Sequence, residues 1–258
     1  MGEVVAVANQ KGGVGKTTTT ENLAVVLGEA GRRILVVDVD PQFALTRHLA
    51  RDRYASLEAT MVDVLAPVGE GRVQVRDVIL RDVQPGVDLL PTTRELRRRE
   101  LGLVGELRRE GILAGALAPV RDDYDFVLID CPPNLGLLTV NALYAADRVL
   151  APVSAEDEGA AQGVAELRAT LRQLAHGGDA EPELVALMTR WDGRRLAARG
   201  LMDALAAIGV RIASEAVPSS AKVHQAPIIG QPVAVAFPDG TVASSYRRVG
   251  DELFAKVA

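Results

Sequence analysis

Residues Asn9–Thr18 read NQKGGVGKTT, and this stretch decides the fold. It is nearly the G-x-x-x-x-G-K-[ST] loop that cradles phosphate, but Gln10 stands where the first glycine belongs and a second lysine, Lys11, follows at once. The run before it, Glu3–Asn9 (EVVAVAN), is short and β-branched. The run after it, Thr17–Ala30, spaces Leu23, Val26, Leu27 and Ala30 along one helical face, with Gly31 placed to end the helix. A strand, a glycine-rich turn and a helix in that order aim backbone N–H groups and a helix N-terminus at one point, which is an anion site. Gly12, Gly13 and Gly15 allow close backbone approach, with Val14 between them. Lys16 then neutralises β- and γ-phosphate charge, and the Thr17 hydroxyl serves as a Mg²⁺ ligand. A bare glycine-rich turn with surface lysines is the bland alternative. Lys11, five residues from Lys16 and outside the helix, is expected to point away from its own cradle.

Working outward, further apolar runs read as buried strands at Arg33–Asp38, Val87–Leu90, Phe126–Asp130, Arg148–Val153, Leu184–Met188, Ala213–Val217 and Val233–Phe237. Helical stretches lie between them at Arg94–Leu117, Asn134–Ala145, Glu156–Leu174 and Arg194–Ile208, and a terminal helix begins near Thr241. Continuous apolar strands alternating with helices predict an α/β fold, a doubly wound, mostly parallel sheet flanked by helices on both faces. With no repeat, low-complexity tract or dividing linker, 258 residues are expected to form one domain, residues 1–258.

Composition excludes several classes. One cysteine, Cys131, leaves no internal disulfide framework and no Cys-based metal site within one chain. His48, His176 and His224 lack metal-ligand spacing. No signal-peptide pattern and no apolar run near the roughly twenty residues that span a bilayer are present, so a cytoplasmic location without membrane attachment is expected. The net charge of −5 argues against a nucleic-acid partner on average. From Thr189 onward, however, nine Lys and Arg face six Asp and Glu, which places any polyanion-binding face in the last quarter.

Two more segments belong with the loop. VVDVDPQ (Val36–Gln42) ends a strand with Asp38 and Asp40, where a water-positioning carboxylate is needed, and YDFVLIDCPP (Tyr124–Pro133) puts Asp130 at the end of an apolar strand. Each aspartate alone is equally a strand-terminal turn residue. Together with the loop they are specific.

The stretch KGGVGKTT resembles the deviant Walker A box of the ParA/MinD ATPases. DPQ, DCPPNLGLLTVNAL, MTRWDGR (Met188–Arg194) and PSSAKVHQAP (Pro218–Pro227) are similar, in order and over nearly the whole chain, to the small ParA/Soj partition ATPases. The resemblance implies a deviant P-loop NTPase fold, ATP and Mg²⁺ as cofactors, and slow, partner-stimulated ATP hydrolysis. Lys11 would reach across a nucleotide-sandwich homodimer to the partner's phosphates, Asp40 would orient the attacking water, and Asp130 would hold the Mg²⁺ shell. Thr18 belongs to the same box. Pro218 and Ser220 occupy positions that contact the base or ribose, although Ser219-Ser220 replaces the usual Arg-Asn. It further implies nonspecific DNA binding through Arg194 and Lys222, extended by Arg195, Arg199, Arg247 and Arg248, with nucleoid association and a ParB-type partner. No helix-turn-helix domain is expected before the first strand. A ParA-like ATPase moving another cargo is the nearest alternative. A MinD-like membrane ATPase would require Leu253 and Phe254 to be exposed, and a dethiobiotin-synthetase-type ligase would have no use for Lys11.

Overall fold

The strands alternate between two apolar cores, and that alternation sets the architecture. In the computed structural model, Val4, Ala6, Leu35, Val37, Val127, Ile129, Val149 and Ala186 face one core, and Val5, Ile34, Val36, Phe126, Leu128, Leu150 and Val185 face the other. The structure describes residues 2–67, 71–154, 156–157, 159–175, 181–192 and 196–255, without the side chains of residues 196 and 197. Arg194, Arg195 and His176 lie outside the described residues.

Eight strands, β1 (Glu3–Val7), β2 (Ile34–Asp38), β3 (Leu80–Gln84), β4 (Val87–Leu90), β5 (Phe126–Asp130), β6 (Arg148–Ser154), β7 (Glu183–Thr189) and β8 (Arg211–Ile212), form one sheet in the order β3-β4-β2-β5-β1-β6-β7-β8. Every pairing is parallel except β3 with β4. The first core is covered by α3 (Met61–Val64), α4 (Val75–Val78), α5 (Leu96–Leu103), α6 (Ile112–Leu117), α7 (Leu137–Ala145), α8 (Ala160–Ala175) and α9 (Leu196–Ala207). The second is covered by α1 (Lys16–Glu29), α2 (Ala44–Ala50), α10 (Lys222–Ile229), α11 (Val233–Ala236) and α12 (Thr241–Leu253). Chain order reverses around β1, which lies between β5 and β6, and ligands of open α/β sheets sit outside the carboxyl ends of the strands at such a point.

The expected helix over Arg94–Leu117 is broken. It stops at Leu103, passes Gly105 and a left-handed Arg108 at φ 52°, and resumes only at Ile112. Val233–Phe237 is helical rather than extended: Pro232 caps a short apolar turn, and Asn22 Oδ1 accepts a hydrogen bond from Ala234 N at 2.7 Å. Such short runs fit either state. The Ala213–Val217 strand is absent, because the Ser214 N–H donates to the Glu252 carboxylate instead of a ladder. The helix expected from Glu156 begins at Ala160, after a turn in which Asp157 Oδ1 accepts from Gly159 N at 2.9 Å.

At the far end of the chain, Val249, Leu253 and Phe254 are buried against the second core, Phe254 meeting Phe126 edge-on at 5.1 Å between centroids. Val249, Leu253 and Phe254 therefore belong to the core. Among the described residues no helix is long and apolar enough to cross a membrane.

Candidate nucleotide site

The loop between β1 and α1 is shaped by Asn9 and by glycine. Asn9 Nδ2 donates to Pro152 O at 2.8 Å, and its Oδ1 accepts from Lys11 N at 3.0 Å, tying the loop to the end of β6. Gly13 and Gly15 take φ 74° and 93°, a region closed to most side chains, and a Cβ at Gly15 would project into open space. The Val14 carbonyl accepts from Thr189 Oγ1, at the end of β7, at 2.9 Å, which ties the loop to that strand.

The two lysines behave oppositely. Lys16 is buried, its Nζ donating to Lys11 O at 2.8 Å, and burial lowers its pKa against the opposing pull of Asp130. Lys11 sends its side chain away from the loop to pair with Asp157 at 3.4 Å, 44% exposed. The sequence expectation for its direction is met.

Three carboxylates close the site. Asp130, at the end of β5, is fully buried, and accepts from Thr17 Oγ1 at 2.7 Å and from Thr20 Oγ1 at 3.4 Å; burial, then the neighbouring Asp38 charge, raises its pKa. Asp38 accepts from Thr46 N, Thr46 Oγ1 and Asp40 N, which fixes it as a structural anchor for the segment after β2, and burial raises its pKa to about 7. Asp40 faces the pocket; its Oδ1 accepts from Gln42 N at 2.8 Å, and partial burial raises its pKa while Lys16 opposes the shift.

The resulting cavity has a volume of about 400 Å³. Gly12–Thr18 and Asp40 line one side, and Pro218, Ser219, Ser220, Val223, His224 and Pro227 form the opposite wall. Lys11 is not in the lining. Pro218 is held in place by a parallel bridge to Trp191, which packs on the first core rather than into the pocket. Sequence reading missed Thr189, Arg190, His224 and Tyr246 in the lining. Of these, only the position of Thr189 and Arg190 at a strand end was a signal.

Backbone donors on a glycine loop, a buried ammonium and open space above the glycines suit a polyphosphate. A Thr17 hydroxyl that spends its proton on Asp130 keeps its lone pairs for a hard cation, so the oxygen donors fit Mg²⁺ bound jointly with phosphate. Cys131, behind Asp130, is a buried thiol whose pKa burial raises well above its usual value, as expected for a packed residue.

The basic residues assemble only in part. Lys222 Nζ lies 5.0 Å from the Phe237 ring centroid and Arg247 donates to Pro238 O at 2.7 Å, so both rest on the loop between α11 and α12. Arg247 also approaches Glu29 at 3.4 Å. Arg248 is committed to Glu215 through two hydrogen bonds of 2.8 and 2.7 Å. Arg199 is exposed on α9.

The fold and loop define a P-loop nucleotide-binding domain. The AAA_31 family model, described as an AAA domain, matches residues 2–183. The chromosome-partitioning ATPase Soj of Thermus thermophilus is 38% identical over 260 residues, covering 98% of this chain and 96% of that protein. The chromosome partitioning protein ParA of Caulobacter vibrioides is 37% identical over 236 residues, covering 89% and 85%. Among solved structures, cobyrinic acid a,c-diamide synthase from Mycobacterium smegmatis, with bound ATP analog and magnesium, superposes with a TM-score of 0.82 at 32% identity over 98% of this chain and 95% of that one. The chain belongs to the ParA/MinD-type AAA_31 family of P-loop ATPases, with Soj and ParA among its relatives.

Proposed function

We propose that the chain is an ATP-operated partition switch: it closes into a homodimer on ATP, holds nonspecific DNA in that state, and hydrolyses ATP slowly until a ParB-type partner stimulates it. The observation that carries this reading is the divergence of the two lysines. Lys16 is turned into its own loop, whereas Lys11 leaves it for Asp157. A lysine serving only its own nucleotide needs the first arrangement; the second suits a phosphate carried by another copy of the chain.

Each residue then has a physical task. Gly12–Gly15 and Thr18 present the loop and helix terminus to the phosphates, and Lys16 balances their charge. Thr17 would ligate Mg²⁺ directly and Asp130 through its water shell; the bound ion supplies charge neutralisation between the terminal phosphates. Asp40, made more basic by partial burial, accepts a hydrogen bond from the attacking water and orients it. Pro218 and Ser220 flank the base or ribose, a serine hydroxyl standing in for part of an asparagine amide. Leu101, Val104 and Leu107 on and after α5 are exposed, Leu107 by 95%, and follow the carboxyl end of β4, at the site's end of the sheet; a second protomer closing there would cover them. Lys222 and Arg247, with Arg194 and Arg195, would meet DNA phosphates, giving steeply salt-dependent binding and placing the protein on the nucleoid in the cytoplasm. Arg248 contributes less, since Glu215 already balances its charge.

The test is binding of a random-sequence duplex with Mg-ATP, Mg-ADP and no nucleotide at two salt concentrations. ATP-dependent, salt-sensitive binding supports the switch, and no binding in any state refutes the DNA role. A second reading, ATP-dependent amidation of a carboxylic acid, rests on the likeness in fold and sequence to the Mycobacterium smegmatis cobyrinic acid a,c-diamide synthase. It requires ATP turnover that depends on an added carboxylic acid substrate and is indifferent to DNA.

A further inference from the structure

Arg190, the first residue past β7, has a left-handed backbone at φ 49°, a conformation that crowds the Cβ of any residue but glycine. Its neighbours enforce that conformation. Thr189 is bonded to the loop carbonyl of Val14, and Trp191 N donates to Val217 O at 3.0 Å. Held between these two ties, the Arg190 side chain lines the pocket, and its Nη2 lies 3.8 Å from where a Cβ on Gly13 would stand. It makes a loose ion pair, Nη1 to Glu156 Oε2 at 3.9 Å, and the side chain is 46% exposed. Strain of this kind persists where the surroundings over-determine it, and functional sites are where it collects. Here it aims a guanidinium at the rim of an anion cradle.

We propose that Arg190 is a phosphate-binding residue of its own chain's nucleotide site, exchanging the distant Glu156 carboxylate for a phosphate oxygen. This rests on the nucleotide reading above and adds to it a second cation acting in cis, beside Lys16 and distinct from the outward Lys11. A planar fork of donors suits phosphate better than an ammonium at this range, so lysine is a partial substitute.

The experiment compares wild type, Arg190→Asn, Arg190→Lys and Lys16→Ala at concentrations where the chain is monomeric, measuring affinity for ATP and for adenosine, and the thermal midpoint without nucleotide. Asparagine accepts the left-handed backbone, so R190N keeps or raises the midpoint while losing the charge. The expected result is a weakening of ATP binding by R190N of about tenfold or more, adenosine affinity within about twofold of wild type, and R190K in between. Wild-type ATP affinity in R190N overturns the assignment, as does an equal loss for adenosine, which marks a structural role. Failure of the nucleotide reading itself is separable: wild type would not bind ATP, or K16A would bind it as wild type does.

Discussion

Replacing Thr189 with valine removes one hydroxyl and almost no volume, and it tests how the phosphate loop is held open. Thr189 is 4% exposed and donates from Oγ1 to the Val14 carbonyl at 2.9 Å. Without that donor the carbonyl loses its partner in a buried setting, which costs about 1–3 kcal/mol. Two responses are open to the loop. If it stays in place, the whole cost falls on folding stability. If Val14 turns its carbonyl to find another donor, stability is partly recovered, but the loop must be reset when phosphate binds, and each 1.4 kcal/mol of resetting weakens ATP binding about tenfold. The sum of lost stability and lost binding energy should therefore stay at about 1–3 kcal/mol however it divides. Urea denaturation without nucleotide gives the first quantity and ATP titration the second, and Thr189→Ser, which keeps the hydroxyl, should restore most of both. A T189V protein that matches wild type in both measurements refutes the account of the loop.

Lys11→Ala should bind ATP as a monomer within about threefold of wild type, since Lys11 does not line the pocket, but should give no ATP-dependent dimer in sedimentation; dimers at wild-type level would remove its cross-site role. Asp40→Ala should bind ATP and accumulate the dimer while turnover falls by about 10²-fold or more, and undiminished phosphate release would mean that another group positions the water. Asp38 gives a pH signature: its folded pKa of about 7 exceeds its ordinary 3.8, so the native state holds a proton that the unfolded chain releases. The stability this group contributes is full below the unfolded value and is lost as pH rises through the folded one, by on the order of 1 kcal/mol between pH 6 and pH 8. Denaturation at those two pH values should show the fall in wild type and a shallower one in Asp38→Asn; equal slopes would mean that Asp38 is already ionised at pH 6.

The near wall of the site was legible, whereas on the far wall only Pro218 and Ser220 were, for a physical reason. Gly12–Thr18, Asp40 and Asp130 sit at the ends of strands that sequence periodicity marks, and their spacing is dictated by the phosphate chemistry itself. Ser219, Val223, His224 and Arg190 reach the pocket from a strand end, an irregular segment and α10. Helix α10 contains Pro227, and no apolar pattern announces it. In the fold, β3 was invisible because an edge strand half in solvent needs no continuous apolar run, and Asp82 at φ 52° interrupts it. The partners of the basic residues were equally hidden. Arg248 meets Glu215 across 33 positions of chain, a contact only tertiary packing creates.

Thr189, Arg190 and Trp191 follow one another at the end of β7 and touch both walls of the pocket: the phosphate loop at Val14 and Gly13, and the segment carrying Pro218. Behind them β7 is locked to β6 in register from Arg148↔Glu183 to Ser154↔Thr189. One short piece of backbone thus joins both walls to a single strand end, so any change in how that end is seated would be felt on the two sides of the pocket together.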